Sequence, residues 1–348
     1  MNQSINHLFW IEIRIYVNVY YVQVLVQNNK SGARLILTNN SFYNKDIISI
    51  KDFTRQDLEF IFYATDKIGI LSRREKIQLG EGRILGYIFY EPSTRTRMSF
   101  EAAMASLGGS SIGIFDPRSS SIEKGESLAD TIRTMDLYSD VIVLRHPLDG
   151  SSRFAGELSD SPIINAGSGS EEHPTQAMLD LYTIKREKGK IDGLTIGIIG
   201  DLKYGRTVYS LLYGLTNYNV NLHLISPPTL RIRKESIYDV QNKLKIYEHN
   251  QLDNEILARL DIIYVTRIQR ERFPDIQEYE RVKGTYTIDN NILQVSKPDI
   301  SIMHPMPRME EIAHSIDGTK NALYFKQAAY GKELRAALLA LVLNENPA

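Results

Sequence analysis

A chain of 348 residues allows about two domains, and 43% hydrophobic with 24% charged residues is the composition of a globular protein with a sizeable core. Forty-one basic residues against forty-two acidic ones leave the net charge near zero, which argues against a nucleic-acid or other polyanion partner held by a strongly positive field. The absence of cysteine excludes disulfides, thiolate metal sites and cysteine nucleophiles and fits a cytoplasmic setting, and the seven histidines have no metal-ligand spacing, so neither metal nor cofactor is expected.

The first segment, "HLFWIEIRIYVNVYYVQVLVQ", is apolar but is interrupted by Glu12, Arg14, Asn18 and Gln23 on a period close to two. It lacks the unbroken run of a membrane helix and the basic start and small-residue cleavage site of a signal peptide. It reads as a β-hairpin-like extension, or as translated sequence upstream of the true start. No methionine lies between Met1 and Met98, so a later start would need another codon. Residues 1–42 are expected to be dispensable.

From about Ile47 the texture becomes α/β. "SIKDFTRQDLEFIFYATDKIGILSRREK" has apolar residues at helical spacing after a possible capping Thr54. "RILGYIFYE" reads as a buried strand, "TRTRMSFEAAMASLGG" as a helix closed by glycines, "SSIGIF" as a strand, "ESLADTIRTMDLY" as a helix and "DVIVLRHP" as a strand. A long amphipathic helix, "HPTQAMLDLYTIKREKGK", precedes a second series. That series runs through a strand "LTIGIIGD", a helix "RTVYSLLYGLT", a strand "NLHLISPP", a helix running into a strand "DNEILARLDIIYVTR", a strand and loop "DISIMHPMPR" and a final helix "ELRAALLALVLN". Alternating strands and helices imply parallel sheets of right-handed βαβ units. Two doubly wound domains are expected: 43–185, completed by a C-terminal helix at 325–348, and 186–324.

The unusual polar residues gather where strands end, which in open parallel sheets is where ligands bind. Ser93, Thr94, Arg95 and Thr96 follow the first strand, and Pro92 with Ser93 fits a turn into a helix. Backbone N–H groups at that helix start, three hydroxyls and an arginine fork suit a phosphate. The plainer reading is that Ser93 only caps the helix and the arginines are solvated. Arg145 ends its strand; Arg206 opens a helix that lacks the glycine pattern of a dinucleotide turn and suits a carboxylate. Arg267 and Gln269 follow another strand, and His304 to Arg308 another. His173 and Gln176, three apart at a helix start, can face one side. Lys124, in the polar loop "SSSIEKGESLADT", matters only if that loop covers an anion site. These strand ends predict one active site in the cleft between the two domains.

The ordered segments "FYEPSTRTRMSFE", "SSSIEKGESLADT", "LRHP", "HPTQ", "GDLKYGRTVYSL", "YVTRIQRER" and "HPMPR" resemble the catalytic chains of aspartate carbamoyltransferases, within the aspartate/ornithine carbamoyltransferase family, over residues 43–348. The resemblance implies a transferase of pyrimidine biosynthesis that moves the carbamoyl group of carbamoyl phosphate to L-aspartate. It implies that Ser93, Thr94, Arg95 and Thr96 hold the phosphate and that Thr96, Arg145 and His173 polarise the carbamoyl oxygen. Gln176 and the backbone carbonyls of Pro305 and Met306 would take the carbamoyl NH₂, and Lys124, Arg206, Arg267 and Gln269 the aspartate. It further implies a homotrimer in which Ser120 and Lys124 reach the neighbouring subunit's site. Whether a separate regulatory chain joins it is left open. Met306 stands where leucine is common, but its implied role uses the backbone; Glu123, beside Lys124, has no functional account. The ornithine branch is the nearer alternative, disfavoured because its H-C-L-P-R segment reads "HPMPR" here; a non-catalytic binder of phosphorylated ligands is the other, disfavoured because no motif residue is missing.

Overall fold

The computed structural model describes residues 10–17, 20–29, 32–37, 40–170, 172–268, 273 and 275–345. Strands β1 (Trp10–Val17), β2 (Tyr20–Asn29) and β3 (Gly32–Leu37) pair antiparallel in the order β1-β2-β3.

Helix α1 (Arg55–Ile70) starts on a capping box in which Thr54 and Asp57 satisfy each other's backbone donors. Its Leu58, Ile61, Phe62 and Ile68 are buried, the face that the helical spacing predicts. After α2 (Arg73–Ile77) come β4 (Ile84–Phe89), α3 (Thr94–Ser106), β5 (Ser110–Ile114), α4 (Leu128–Asp136), β6 (Val141–His146), α5 (Ser151–Gly156) and β7 (Ile163–Ser168). These strands form one parallel sheet, β5-β4-β6-β7. Strand β7, which the strand-and-helix reading of the sequence leaves out, is buried throughout; Asn165 is tolerated there because its Nδ2 donates to the Ile48 carbonyl at 2.8 Å and to Ser168 Oγ at 3.0 Å.

Helix α6 (Pro174–Lys188) leads to the second sheet. It is built from β8 (Thr195–Ile199), α7 (Arg206–Leu215), β9 (Asn221–Ile225), α8 (Lys234–Val240), β10 (Lys245–His249), α9 (Asn254–Leu257), β11 (Ile262–Val265), α10 (Ile276–Val282), α11 (Asn290–Val295) and β12 (Ser301–Met303). Its order is β10-β9-β8-β11-β12, again all parallel. The final helix α12 (Tyr324–Leu343) begins nine residues before the apolar run that marks it in the sequence, and it packs against α1, α3 and α6. No described helix is long and apolar enough to cross a membrane.

Each sheet reverses its direction of strand order beside its first strand, between β4 and β6 in one and between β8 and β11 in the other. Crevices open at the carboxyl ends of strands at such switch points. Gly200, just past β8, shows how tight one of them is. Its φ is +118°, and a Cβ there would lie 2.3 Å from the Thr266 carbonyl oxygen at the end of β11, so only glycine lets the two exits cross.

Leu338, with no exposed surface, lies in the part of α12 wedged among the other helices. Leu338→Ala should cost about 2–5 kcal/mol in denaturant unfolding, whereas Ile70→Ala, at an exposed helix end, should change stability by less than about 0.5 kcal/mol. Equal losses would contradict the placement of α12 in the core.

Candidate active site

A cavity of about 750 Å³ opens between the two sheets, lined from the carboxyl ends of β4, β6, β8, β11 and β12, from the starts of α3, α6 and α7, and from α12. The first wall is the start of α3. Ser93 takes the N-cap position with extended backbone but makes no side-chain bond to the helix. The N–H groups of Thr94, Arg95 and Thr96 therefore open on the cavity these residues line, with the positive end of the helix dipole behind them. Thr96 is buried, while Arg95 stands at the exposed mouth. Partial burial and the positive charge of Arg267, from across the cavity, both pull the Arg95 pKa down, and the side chain stays cationic at neutral pH.

Deeper in, Arg145 at the end of β6 donates from Nη1 to the Ala166 carbonyl at 3.2 Å, and its Nε lies 3.4 Å from Glu91 Oε2. Arg206, the first residue of α7, is buried and donates from Nη2 to the same Glu91 oxygen at 2.6 Å and from Nη1 to the Gly169 carbonyl at 2.9 Å. Between the two forks runs Gly167, at φ +118°. A Cβ there would sit 3.2 Å from Arg145 Nη1 and 3.3 Å from Arg206 Nη1, so the bare backbone lets both guanidiniums close on it.

His173 caps α6, and its backbone N–H donates to Ser210 Oγ on α7 at 2.8 Å. Burial, reinforced by the charges of Arg145, Arg335 and Arg206, holds its imidazole well below the usual histidine range, so the ring is neutral at physiological pH. Its Nδ1 has no hydrogen-bond partner among the described residues.

Beyond β12 the chain turns sharply. His304 Nδ1 accepts the Met306 N–H at 2.7 Å, and His304 Nε2 pairs with Glu311 Oε1 at 2.8 Å, which fixes Nε2 as the protonated nitrogen of a buried, neutral ring. Met306 has φ +58°, uncommon for a side chain of its kind, and this turn carries Pro305 and Met306 to the cavity wall.

The structure thus brings Ser93 to Thr96, Arg145, His173 and Gln176 together with Arg206, Arg267, Pro305 and Met306 around one cavity. Ser120 and Lys124 are elsewhere: they sit in two short 3-10 turns, where Ser120 Oγ donates to the Pro117 carbonyl at 2.7 Å and Lys124 is exposed, and neither lines this cavity. Gln269 lies outside the described residues.

Four residues that the motifs did not single out belong to the site. Glu91 joins Arg145 to Arg206; its signal was an acid directly before the arginine-rich turn. Gln327 and Arg335 are buried at the cavity floor, and Asp180 is buried beneath it, bonded to Gln176 and Gln327. Burial pushes the Asp180 carboxyl up to about 7 against hydrogen bonds from Tyr264, Gln327 and Gln176 that pull it down. Burial likewise pulls the Arg335 guanidinium down to about 10, still charged at neutral pH. Asp180 stands four residues after Gln176, one helical turn away, a spacing legible in "HPTQAMLD".

Comparison with known proteins follows the same division. The family model of the aspartate/ornithine carbamoyltransferase carbamoyl-P binding domain matches residues 45–186, and that of the Asp/Orn binding domain matches residues 192–342. The aspartate carbamoyltransferase catalytic subunit of Nitrosopumilus maritimus is 62% identical over 307 residues, 88% of this chain and 99% of its own length. That of Thermococcus kodakarensis is 52% identical over 301 residues, 86% of this chain and 97% of its own. Among solved structures, the aspartate transcarbamoylase of Trypanosoma cruzi in complex with carbamoyl aspartate and phosphate is similar at a TM-score of 0.82 with 39% identity, covering 88% of this chain and 98% of that one. The catalytic subunit from M. Jannaschii gives 0.77 with 48% identity, over 85% and 97%. By these matches, which span both sheets and the cavity between them, the chain belongs to the aspartate/ornithine carbamoyltransferase family.

Proposed function

We propose that this chain is the catalytic chain of an aspartate carbamoyltransferase, forming N-carbamoyl-L-aspartate and phosphate from carbamoyl phosphate and L-aspartate, a step of pyrimidine biosynthesis. The observation that carries the reading is the pairing, across one cavity, of the uncapped start of α3 with a second cationic wall from Arg206 and Arg267. One wall fits a phosphate and the other a dicarboxylate. Relatives of this family solved with carbamoyl phosphate and aspartate, and with a phosphonacetyl aspartate, support it.

The chemistry follows from the charges. The phosphate sits on the N–H groups and hydroxyls of residues 93 to 96 with Arg95. The deprotonated α-amine of aspartate attacks the carbamoyl carbon, the carbonyl π pair moves to oxygen, and a tetrahedral oxyanion forms. Thr96, Arg145 and neutral His173 are the donors for that oxygen; one such donor is typically worth about 3 kcal/mol in the transition state. The intermediate collapses as the carbon–oxygen bond to phosphate breaks, and the departing phosphate takes the amine proton. Holding both substrates in one cavity supplies proximity. No side-chain nucleophile is needed, and a neutral imidazole avoids adding a fourth cation beside Arg145, Arg206 and Arg335.

Arg267 favours a second carboxylate over the ammonium of ornithine, and the chain has no cysteine to stand in an ornithine-type segment. Three copies form the working unit in this reading, in which Ser120 and Lys124, which do not line their own chain's cavity, complete a neighbour's. We place the enzyme in the cytoplasm, in keeping with its lack of cysteine, and the relatives' designation as catalytic subunits supports assembly with a regulatory chain. The segment before residue 43 stands outside the catalytic unit.

Purified protein sedimenting as three chains should make carbamoyl aspartate and no citrulline when offered both amino acids, with or without residues 1–42. Citrulline, or no product from folded trimers, would sink the reading. The environment of His173 sets a second expectation. Its folded-state pKa is lowered well below the ordinary histidine value, so the ring keeps its single N–H and does not titrate across pH 6 to 8. His173→Ala should therefore lower kcat by about 10²–10³ while leaving the midpoint of the acid limb of the pH–rate profile in place. A limb that shifts or vanishes in the variant would mean that His173 titrates during turnover.

A further inference from the structure

Beneath the cavity floor lies a carboxylate with no exposed surface, Asp180, that the catalytic reading does not use. It is reached by three donors from three separate elements. Oδ1 accepts from Gln176 Nε2 at 2.8 Å, one turn back on α6, and from Gln327 Nε2 at 2.6 Å on α12. Oδ2 accepts from the Tyr264 hydroxyl at 2.8 Å on β11. The nearby charge is that of Arg335 on α12, buried at the cavity wall, and its positive charge favours the ionised carboxylate.

The consequence lies in what each amide has left. A glutamine head carries an acceptor oxygen on one side and an NH₂ with two donors on the other, and a carboxylate is acceptor-only. The bond from Gln176 Nε2 to Asp180 fixes which way that head faces, NH₂ toward Asp180 and oxygen on the opposite side, at the cavity that Gln176 lines. Gln327 is committed at both ends: its Nε2 donates to Asp180, and its oxygen accepts the His304 N–H at 3.0 Å. That bond fixes the start of the turn after β12, where Met306 N–H is in turn held by His304 Nδ1. With these N–H groups occupied, the turn has carbonyls, not donors, to offer at residues 305 and 306. One buried carboxyl group, reached by both amides, therefore orients polar groups on two sides of the cavity.

We propose that Asp180 is a positioning residue for specificity: by holding the NH₂ ends of Gln176 and Gln327 it turns the Gln176 oxygen to the cavity and fixes the turn that carries the carbonyls of residues 305 and 306, and so favours a carbamoyl NH₂ over the methyl of an acyl phosphate. The inference rests on the proposed carbamoyl transfer. A site built to receive N–H groups rejects an analogue without them, because its buried acceptors are then left unpaired. Without Asp180 the Gln176 head can turn over, present its NH₂ and lose that discrimination, while the phosphate-holding start of α3 is untouched.

The test uses the intact enzyme and three probes: carbamoyl phosphate, acetyl phosphate, which carries CH₃ where the substrate carries NH₂, and inorganic phosphate. In Asp180→Leu, the preference for carbamoyl over acetyl phosphate, read as the ratio of their dissociation constants, should fall by about tenfold or more. Inorganic phosphate should bind within about threefold of the parent. Asp180→Asn keeps the packing but offers one acceptor oxygen to three donors, and should lose at least about threefold of the preference; it decides the matter if the leucine variant does not fold. Adding either substitution to a variant that already carries Gln176→Leu and Gln327→Leu should change the preference by less than about threefold, because the effect runs through these two amides. A preference unchanged in the folded variants, or a loss shared equally by all three ligands, would overturn the inference. Failure of the parent enzyme to make carbamoyl aspartate would instead overturn the functional reading on which it rests.

Discussion

The site depends on one carboxylate. Glu91 leaves the first sheet just before the start of α3, and a single oxygen of it meets Arg145 of that sheet and Arg206 of the second. Two guanidiniums brought side by side in a largely buried cleft would repel each other and hold the sheets apart; an anion between them converts that repulsion into a bridge. Removing one partner of such a cluster costs more than the contact itself is worth, because the remaining charges are left without compensation. Gly167 completes the arrangement by keeping the space between the forks free of a side chain.

Positive charge is then distributed with a purpose. Arg95 and the start of α3 form an anion site on one wall, and Arg206 with Arg267 form a second on the other. Between them sits His173, a titratable ring that burial and its cationic neighbours keep neutral. Below, the Asp180 cluster presents oxygens where the walls present nitrogens. In the proposed reaction, these three zones correspond to the phosphate and carboxylates, to the developing oxyanion, and to the carbamoyl NH₂. The zones are chemically distinct, and each is set by backbone placement or by a neighbouring side chain.

Much of this was legible in the sequence. Apolar runs broken by helical spacing located most of the elements, and the polar strand ends of residues 93–96, 145, 206, 267 and 304–308 pointed to one crevice. Strand β7 was missed because its later residues, Asn165, Ala166, Gly167 and Ser168, have none of the β-branched character of a strand; burial and side-chain bonds of Asn165 compensate. Strand β10 is an edge strand with exposed Lys245 and Glu248, so its pattern reads as surface chain. The C-terminal helix was expected from residue 325, one residue after its observed start at Tyr324, although Tyr324 to Lys332 mix polar and apolar residues and only the later part carries a clean apolar run. Glu91, Asp180, Gln327 and Arg335 escaped notice for a different reason. A charged or amide residue declares its partner only in three dimensions, and apart from the Gln176–Asp180 pair on one helix turn, the charged and amide partners named here lie 23 to 155 positions away.

The central claim is that Glu91 holds the two halves of the site in register, and not merely that it dilutes a positive field. Calorimetric binding of inorganic phosphate and of phosphonacetyl aspartate to Glu91→Gln tests it most directly. Phosphate uses one wall and should bind within about threefold of the parent. The phosphonacetyl ligand spans both walls and should weaken by about 10- to 100-fold, the loss of one to two charged hydrogen bonds' worth of alignment. Equal or tighter binding of the spanning ligand would show that Glu91 only offsets charge, and would contradict the account.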